Sequence, residues 1–361
     1  MELMAPARGL HLGTRRGFLF SLAAPVVGER GRIAASERVR YLDGATDFEM
    51  DRLTDPAKSS CYLPPTHNTI FLRKSHLCYL SDRSGAPEVW SLDLKTYQSR
   101  QMTECKALDP RSIAITQDER SLCYIDDGVL HVAPVAGGKG REVYKLDGAS
   151  TGAGASVTGV TALVAEATRL RLVSLVKGAP VTIAESKDPI TDPMPRPKRA
   201  SALYRSGGGL WLAHLDGQRN VKLKLPPGRV GPARWSADGR TVVYLSYPEQ
   251  MGRPNALREH TPDTGEDRLI ANTSQFVAFG SNVDGSVFVA ASGSKAGPYV
   301  LLFVRSVKRE LTICEHKSSD PATTAPLFSP DSQRIFFQSD RQGKPALYSV
   351  DVRKFVERTD T

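Results

Sequence analysis

Beyond its N-terminal region the chain lacks any run of about eighteen apolar residues, so no membrane-spanning helix is expected. A repeat that runs through most of the chain leaves no room for the hydrolase domain of a propeller-bearing peptidase, so that class is not expected, and no P-loop occurs. Cysteine is scarce: Cys61, Cys78, Cys105, Cys123 and Cys314 show no CxxC and no paired spacing, so neither a zinc site nor a disulfide framework is indicated. Cys78 and Cys123 lie in apolar runs and read as inert core thiols. Past residue 40 no stretch keeps a helical period. The apolar runs are short and rich in Val, Leu, Ile, Tyr and Phe, as strands require. Lysine and arginine are scattered rather than clustered with aromatics, which argues against nucleic acid despite a net charge of +9.

What the chain does have is a repeat. The phrase Ser81-Asp82-Arg83-Ser84-Gly85 with its following Val89-Trp90-Ser91-Leu92-Asp93 returns as Ser339-Asp340-Arg341-Gln342-Gly343 with Leu347-Tyr348-Ser349-Val350-Asp351. The two copies stand 258 positions apart (Ser339 against Ser81), which is six steps of 43. A period of about 40–45 residues is that of a four-stranded propeller blade, and six steps mean seven blades. Strand centres at Trp90, His131, Val173, Trp211, Arg258, Phe303 and Tyr348 keep that period in steps of 38 to 47 residues. Arg258 is the weakest match. Turn signals precede several of these runs: Asp238-Gly239, Asp284-Gly285 and Pro330-Asp331. Glycine supplies positive φ, proline fixes a corner, and aspartate bonds its own backbone. The predicted fold is therefore all-β, a seven-bladed propeller over residues 41–355. The ring must close, and residues 43–54 resemble residues 93–103, an outer strand. Residues 48–54 are thus expected to supply the outer strand of the last blade, protecting its edge.

The N-terminus reads as an address. Arg15-Arg16-Gly17-Phe18-Leu19 precedes an apolar stretch, which resembles a twin-arginine export signal over residues 1–36. Export of an already folded chain would suit the odd cysteine count; a cytoplasmic location is the alternative. Residues 1–35 contribute +3 to the charge. The remaining positive charge favours an acidic partner.

Longer stretches carry a family likeness. Residues 51–61 (DRLTDPAKSSC), 231–247 (GPARWSADGRTVVYLSY), 279–292 (FGSNVDGSVFVAAS) and 325–340 (APLFSPDSQRIFFQSD) resemble oligogalacturonate lyases, propellers of the TolB-like kind. The resemblance implies a seven-bladed propeller that cleaves oligogalacturonides by β-elimination. In that chemistry manganese neutralises the uronate carboxylate, a histidine removes the C5 proton, and an arginine supports the charged intermediate. Carried over by position, the base histidine falls on Pro232 and the arginine on Gly209. The metal histidines fall on Ala278, Thr323 and Ala325, and the glutamine ligand falls on Asp320. Of these only Asp320 can bind a metal, so manganese is expected to be absent from this chain. The function implied is that of a pectin-degrading propeller acting on or binding acidic galacturonate oligosaccharides, with lyase activity in question. The alternative is a non-catalytic propeller that binds protein or carbohydrate.

Two further readings concern side chains. His67, His76, His131, His214, His260 and His316 are isolated and read as strand or loop residues. Residues 187–199 carry four prolines and read as a stiff loop over one propeller face. Arg196, Lys198 and Arg199 are then the candidates for substrate carboxylates near the central cavity, since guanidinium binds carboxylate in two-pronged fashion.

Overall fold

Seven antiparallel sheets follow one another along the chain in the computed structural model, which describes residues 31–63, 71–73, 75–137, 140–148, 155–158, 160–250, 253–273 and 275–357. Each sheet is one blade. The inner strands are Ser60–Tyr62, Ala114–Ile115, Ala155–Thr158, Thr191–Pro195, Arg229–Trp235, Phe276–Ser281 and Leu327–Phe328, in blades one to seven. All seven centres expected from the repeat fall in the third strand of a blade, Arg258 included, in the strand Asn255–Thr261.

The repeat is legible because it encodes a cross-strand pair. Tyr79 faces Trp90, Tyr124 faces His131, Tyr204 faces Trp211, Phe288 faces Phe303 and Phe337 faces Tyr348, each joining the second and third strands of its blade. Ring centroids in the Tyr124–His131, Tyr204–Trp211 and Phe337–Tyr348 pairs are 5.4, 6.3 and 5.5 Å apart, all stacked. Such facing aromatics stabilise adjacent strands by about 0.5–1.5 kcal/mol beyond their burial. Three of the buried phenols find partners on the outer strand. Tyr79 donates to Ser99 Oγ (2.8 Å), Tyr204 to Asn220 Oδ1 (3.0 Å) and Tyr244 to Asp267 Oδ2 (2.8 Å).

The recurring Asp–Arg pairs fasten blades to their surroundings. Asp82 Oδ1 accepts from the Ser59 amide and Asp340 Oδ1 from the Ser319 amide, both at 2.8 Å. The Arg83 guanidinium lies 5.1 Å from the Trp90 ring, and that of Arg341 lies 5.0 Å from Tyr348. Turn chemistry repeats likewise. Ser236 Oγ donates to Asp238 Oδ1 (2.7 Å), and Ser329 Oγ to Asp331 Oδ1 (2.6 Å).

The last blade takes its outer strands from the N-terminal segment. Glu49–Arg52 pairs with Ala346–Asp351 in the register Met50 to Val350, and Val39–Leu42 pairs with Glu49–Arg52. Met50 and Leu53 are fully buried there. One strand falls inside the segment expected to be an export signal: Ile33–Ala34 pairs with the outer strand Ser99–Gln101 of blade one. The N-terminal segment thus touches the first and last blades together. The twin-arginine motif lies outside the described residues, as does His67. The five cysteines are all free. Among the described residues no helix is long and apolar enough to cross a membrane.

Candidate functional site

Inner strands have one free edge, and three of them bulge near the same end. Pairing skips between Thr191 and Met194 in blade four, between Val230 and Ala233 in blade five, and between Phe276 and Ala278 in blade six. Two of these bulges contain a proline, Pro193 and Pro232, which has no N–H to give a ladder. Bulges of this kind re-aim side chains. Asp192 reaches its position through positive φ, at 52°, a region that aspartate tolerates better than most residues. Gly231 is required by close approach: a Cβ there would sit 2.4 Å from the Tyr247 ring.

The bulges line an axial pit of about 550 Å³. One arc of its wall, from blades two, four and five, carries Arg111, Asp192, Arg205, Arg229 and Arg234. The other arc, from blades one, six and seven, is nearly uncharged: Tyr62, Leu63, Leu80, Ala278, Phe279, Ala322, Thr323, Ala325 and Gln338. Among the described residues the lining therefore holds four arginines and one carboxylate.

That carboxylate is divided between two of the arginines. Arg111 Nη2 lies 2.8 Å from Asp192 Oδ1, and Arg205 Nε lies 3.4 Å from Oδ2. Arg205 also donates to the Val230 carbonyl (3.3 Å) and to that of Gly231, which the bulge leaves outside the ladder. Burial pushes the Arg205 pKa down, against the pull of Asp192. Arg229 is exposed and lies with its guanidinium 4.1 Å from the Tyr247 ring centre. Arg234 differs from all of these. Among the described residues it has no ion pair, and its Nε is buried with no hydrogen-bond partner. Burial alone pushes its pKa down to about 10.

The uncharged arc is held rigidly. Gln338 Oε1 accepts from the Tyr62 amide (2.8 Å), and the Tyr62 hydroxyl donates inward to the Phe337 and Tyr348 carbonyls (3.2 and 3.3 Å). The short 3-10 helix Pro321–Thr324 brings Ala322 and Thr323 to the rim. Beneath it the buried His316 donates from Nε2 to the Ser292 carbonyl (2.9 Å) and accepts the Ser318 amide on Nδ1 (3.0 Å). Burial lowers the His316 pKa, so it stays neutral and structural.

Of the six positions expected to carry family chemistry, four converge here, whereas Gly209 begins the third strand of blade four and does not line the pit. Pro232, Ala278, Thr323 and Ala325 all line the pit. They do not suit manganese: proline and alanine offer no side-chain donor, and threonine offers one hydroxyl. Asp320, the expected metal residue, is exposed and serves as the N-cap of the 3-10 helix, accepting the Ala322 amide at 3.0 Å. Among the described residues no three His, Cys, Asp or Glu side chains come close enough to share an ion.

The proline-rich segment requires a correction. Residues 187–199 are not a loop over the cavity, because Thr191–Pro195 is the inner strand of blade four. Its free edge and bulge accommodate the prolines. Asp192 stands at the pit end of that strand, and Arg196, Lys198 and Arg199 emerge from the other end. Arg196 and Arg199 line a separate hollow of about 170 Å³ with His214, Arg219 and Asp263, and Lys198 stays outside it. There Arg196 is 5% exposed and makes two bonds to Asp263, at 2.8 and 2.7 Å. It also donates to the Gly239 carbonyl (2.7 Å) and lies 5.1 Å from the Trp235 ring centre. Arg199 is 3.9 Å from Asp263. Lys198 is an exposed turn residue with φ of 58°.

Comparisons with known proteins agree with this architecture. No protein-family model matches the chain. By sequence it is similar to an oligogalacturonide lyase of Pectobacterium atrosepticum, 25% identical over 388 residues, covering 86% of this chain and 95% of that one. An oligogalacturonate lyase of Dickeya dadantii is 24% identical over 382 residues, with the same coverage. Among solved structures, an oligogalacturonate lyase in complex with manganese superposes with a TM-score of 0.77 at 22% identity, covering 90% of this chain and 98% of that one. An oligogalacturonate lyase from Vibrio parahaemolyticus gives 0.80 at 21% identity, with the same coverage. Both share the propeller fold.

Proposed function

We propose that this chain, related in sequence and fold to the oligogalacturonate lyases, serves the breakdown of pectin oligosaccharides by holding short oligogalacturonides in its axial pit. One observation carries the reading: four arginines and a single, already paired carboxylate line the wall. Such a wall attracts polyanions and offers guanidinium groups shaped for carboxylates. A uronide lying in the pit presents its carboxylates to Arg205, Arg229 and Arg234. Its ring faces rest on the uncharged arc, where Gln338 Nε2 and Thr323 can bond hydroxyls. The positions where the resemblance puts the base and the metal ligands carry none of those side chains here, which supports reading the pit as a binding site. The twin-arginine motif supports delivery outside the cytoplasm.

Calorimetric titration with trigalacturonate tests this. Saturable one-site binding that weakens with added salt is expected, with no binding of an uncharged trisaccharide. Absence of binding would overturn the reading. So would manganese-dependent growth of the ultraviolet absorbance of an unsaturated uronate product.

A further inference from the structure

Arg234 is the anomaly of the pit, and its chemistry points to what it is for. A guanidinium carries five N–H donors and a permanent charge. Removing it from water without a counter-ion is costly, so buried arginines are nearly always paired. The other arginines of the pit obey this rule or avoid the problem. Arg111 and Arg205 hold Asp192, and Arg229 is exposed against Tyr247. Arg234 is half-buried, and among the described residues no acid and no backbone carbonyl pairs with its side chain; its Nε–H is buried without a partner, which leaves the Nη groups at its tip as the donors that can face the pit. Asp192 is engaged by its two partners. Beyond Arg234 along the pit wall, Ala278 and Phe279 of blade six and Ala325 of blade seven carry no charge. Low polarity there strengthens any ionic contact made beside it.

We infer that Arg234 is a built receptor for a ligand carboxylate, taking it directly in a two-pronged contact without any divalent cation. This rests on the proposed function and deepens it. Where the metal-assisted relatives would neutralise a uronate through an ion, this chain does so with a fixed guanidinium. The pit is thereby a metal-independent carboxylate site. It orients the sugar with its acid group toward blade five and its uncharged face toward blades six and seven.

The experiment titrates digalacturonate into the full-length protein with EDTA present and with manganese present. The wild type should bind equally in both. Arg234→Gln should weaken binding roughly 10- to 100-fold, the worth of a charged, two-pronged hydrogen bond. Arg234→Lys should recover part of that loss, and the fully methyl-esterified dimer should bind as poorly as the Gln variant does. Thermal melting of Arg234→Gln no lower than the wild type shows that the loss is not unfolding. Wild-type binding that EDTA abolishes, or that Arg234→Gln leaves intact, would overturn the inference while leaving the oligogalacturonide reading in place. A second probe separates the two in the other direction. Formate is titrated while the arginine Nε–H resonances are followed by NMR. A saturable shift of the resonance missing in Arg234→Gln supports the carboxylate site even in a protein that ignores uronides. Its absence in a protein that also ignores uronides sinks both.

Discussion

Arg196 and Arg234 sit on consecutive blades, close to the same tryptophan, yet they solve the same problem in opposite ways. Arg196 is enclosed in the hollow beyond the far end of its strand, with Asp263 on its fork, the Gly239 carbonyl on Nε and the Trp235 ring nearby. Arg234, next to Trp235 in sequence, lines the pit with none of these. A guanidinium whose donors are answered within the fold is a fastener. One whose donors are unanswered opposes folding and implies a partner from outside. The sign of a substitution's effect on stability therefore tells the two roles apart.

The largest effect should come from the fastener. Arg196→Ala removes two charged bonds, one bond to a backbone carbonyl and an aromatic contact. It should destabilise the protein by roughly 2 kcal/mol, since Asp263 is half exposed and is rehydrated when freed. Urea unfolding measures this, and trigalacturonate affinity should stay unchanged. A loss of affinity with full stability would reverse the assignment of the two arginines. Arg234→Met should act in the other direction. Replacing an unpaired, half-buried cation by an apolar side chain of similar length is expected to stabilise by up to about 1 kcal/mol, read as a higher denaturation midpoint. A lower midpoint would mean that Arg234 has an internal partner after all.

Much of the fold was legible because blades are local. A Tyr–Trp pair such as Tyr79–Trp90, an Asp-Gly turn and an Asp–Arg clip all lie within one repeat, so their signals recur at one period. Even the poorly alternating strand around Arg258 keeps its place, because Arg258 bonds Asp267 on the next strand (2.6 Å). The pit was not legible in that way. Arg111, Asp192, Arg205, Arg229 and Arg234 meet only when the ring closes, and bulges that no period announces set their aim. The prolines of residues 187–199 suggest a loop because proline breaks ladders, but an inner strand has an edge with no ladder to break. Pro232, Ala278, Thr323 and Ala325, distant in sequence, line one pit and bring no metal-binding side chain to it. The arginine that matters stood in plain view beside Trp235, and only its missing partner distinguishes it.

The smallest effect is the sharpest discriminator, because it depends on pH. Arg196 donates two bonds to Asp263 and holds its carboxyl below the ordinary range. A carboxylate depressed in the folded state contributes stability that is complete above its unfolded pKa, near about 4, and is lost as pH falls through the folded value. The denaturation midpoint of the wild type should therefore exceed that of Asp263→Asn at neutral pH. The gap should close as acid protonates the native carboxylate. Arg234 obeys the opposite sign. Its folded pKa, near 10, lies below its ordinary value. The penalty of its charge is constant at every pH below that point and is relieved only as pH climbs past it. The gap between wild type and Arg234→Met should thus stay flat from acid to mild alkali, where the Asp263 gap does not. Parallel acid dependence in both pairs would place a hidden carboxylate beside Arg234 and remove the reason to assign it a ligand.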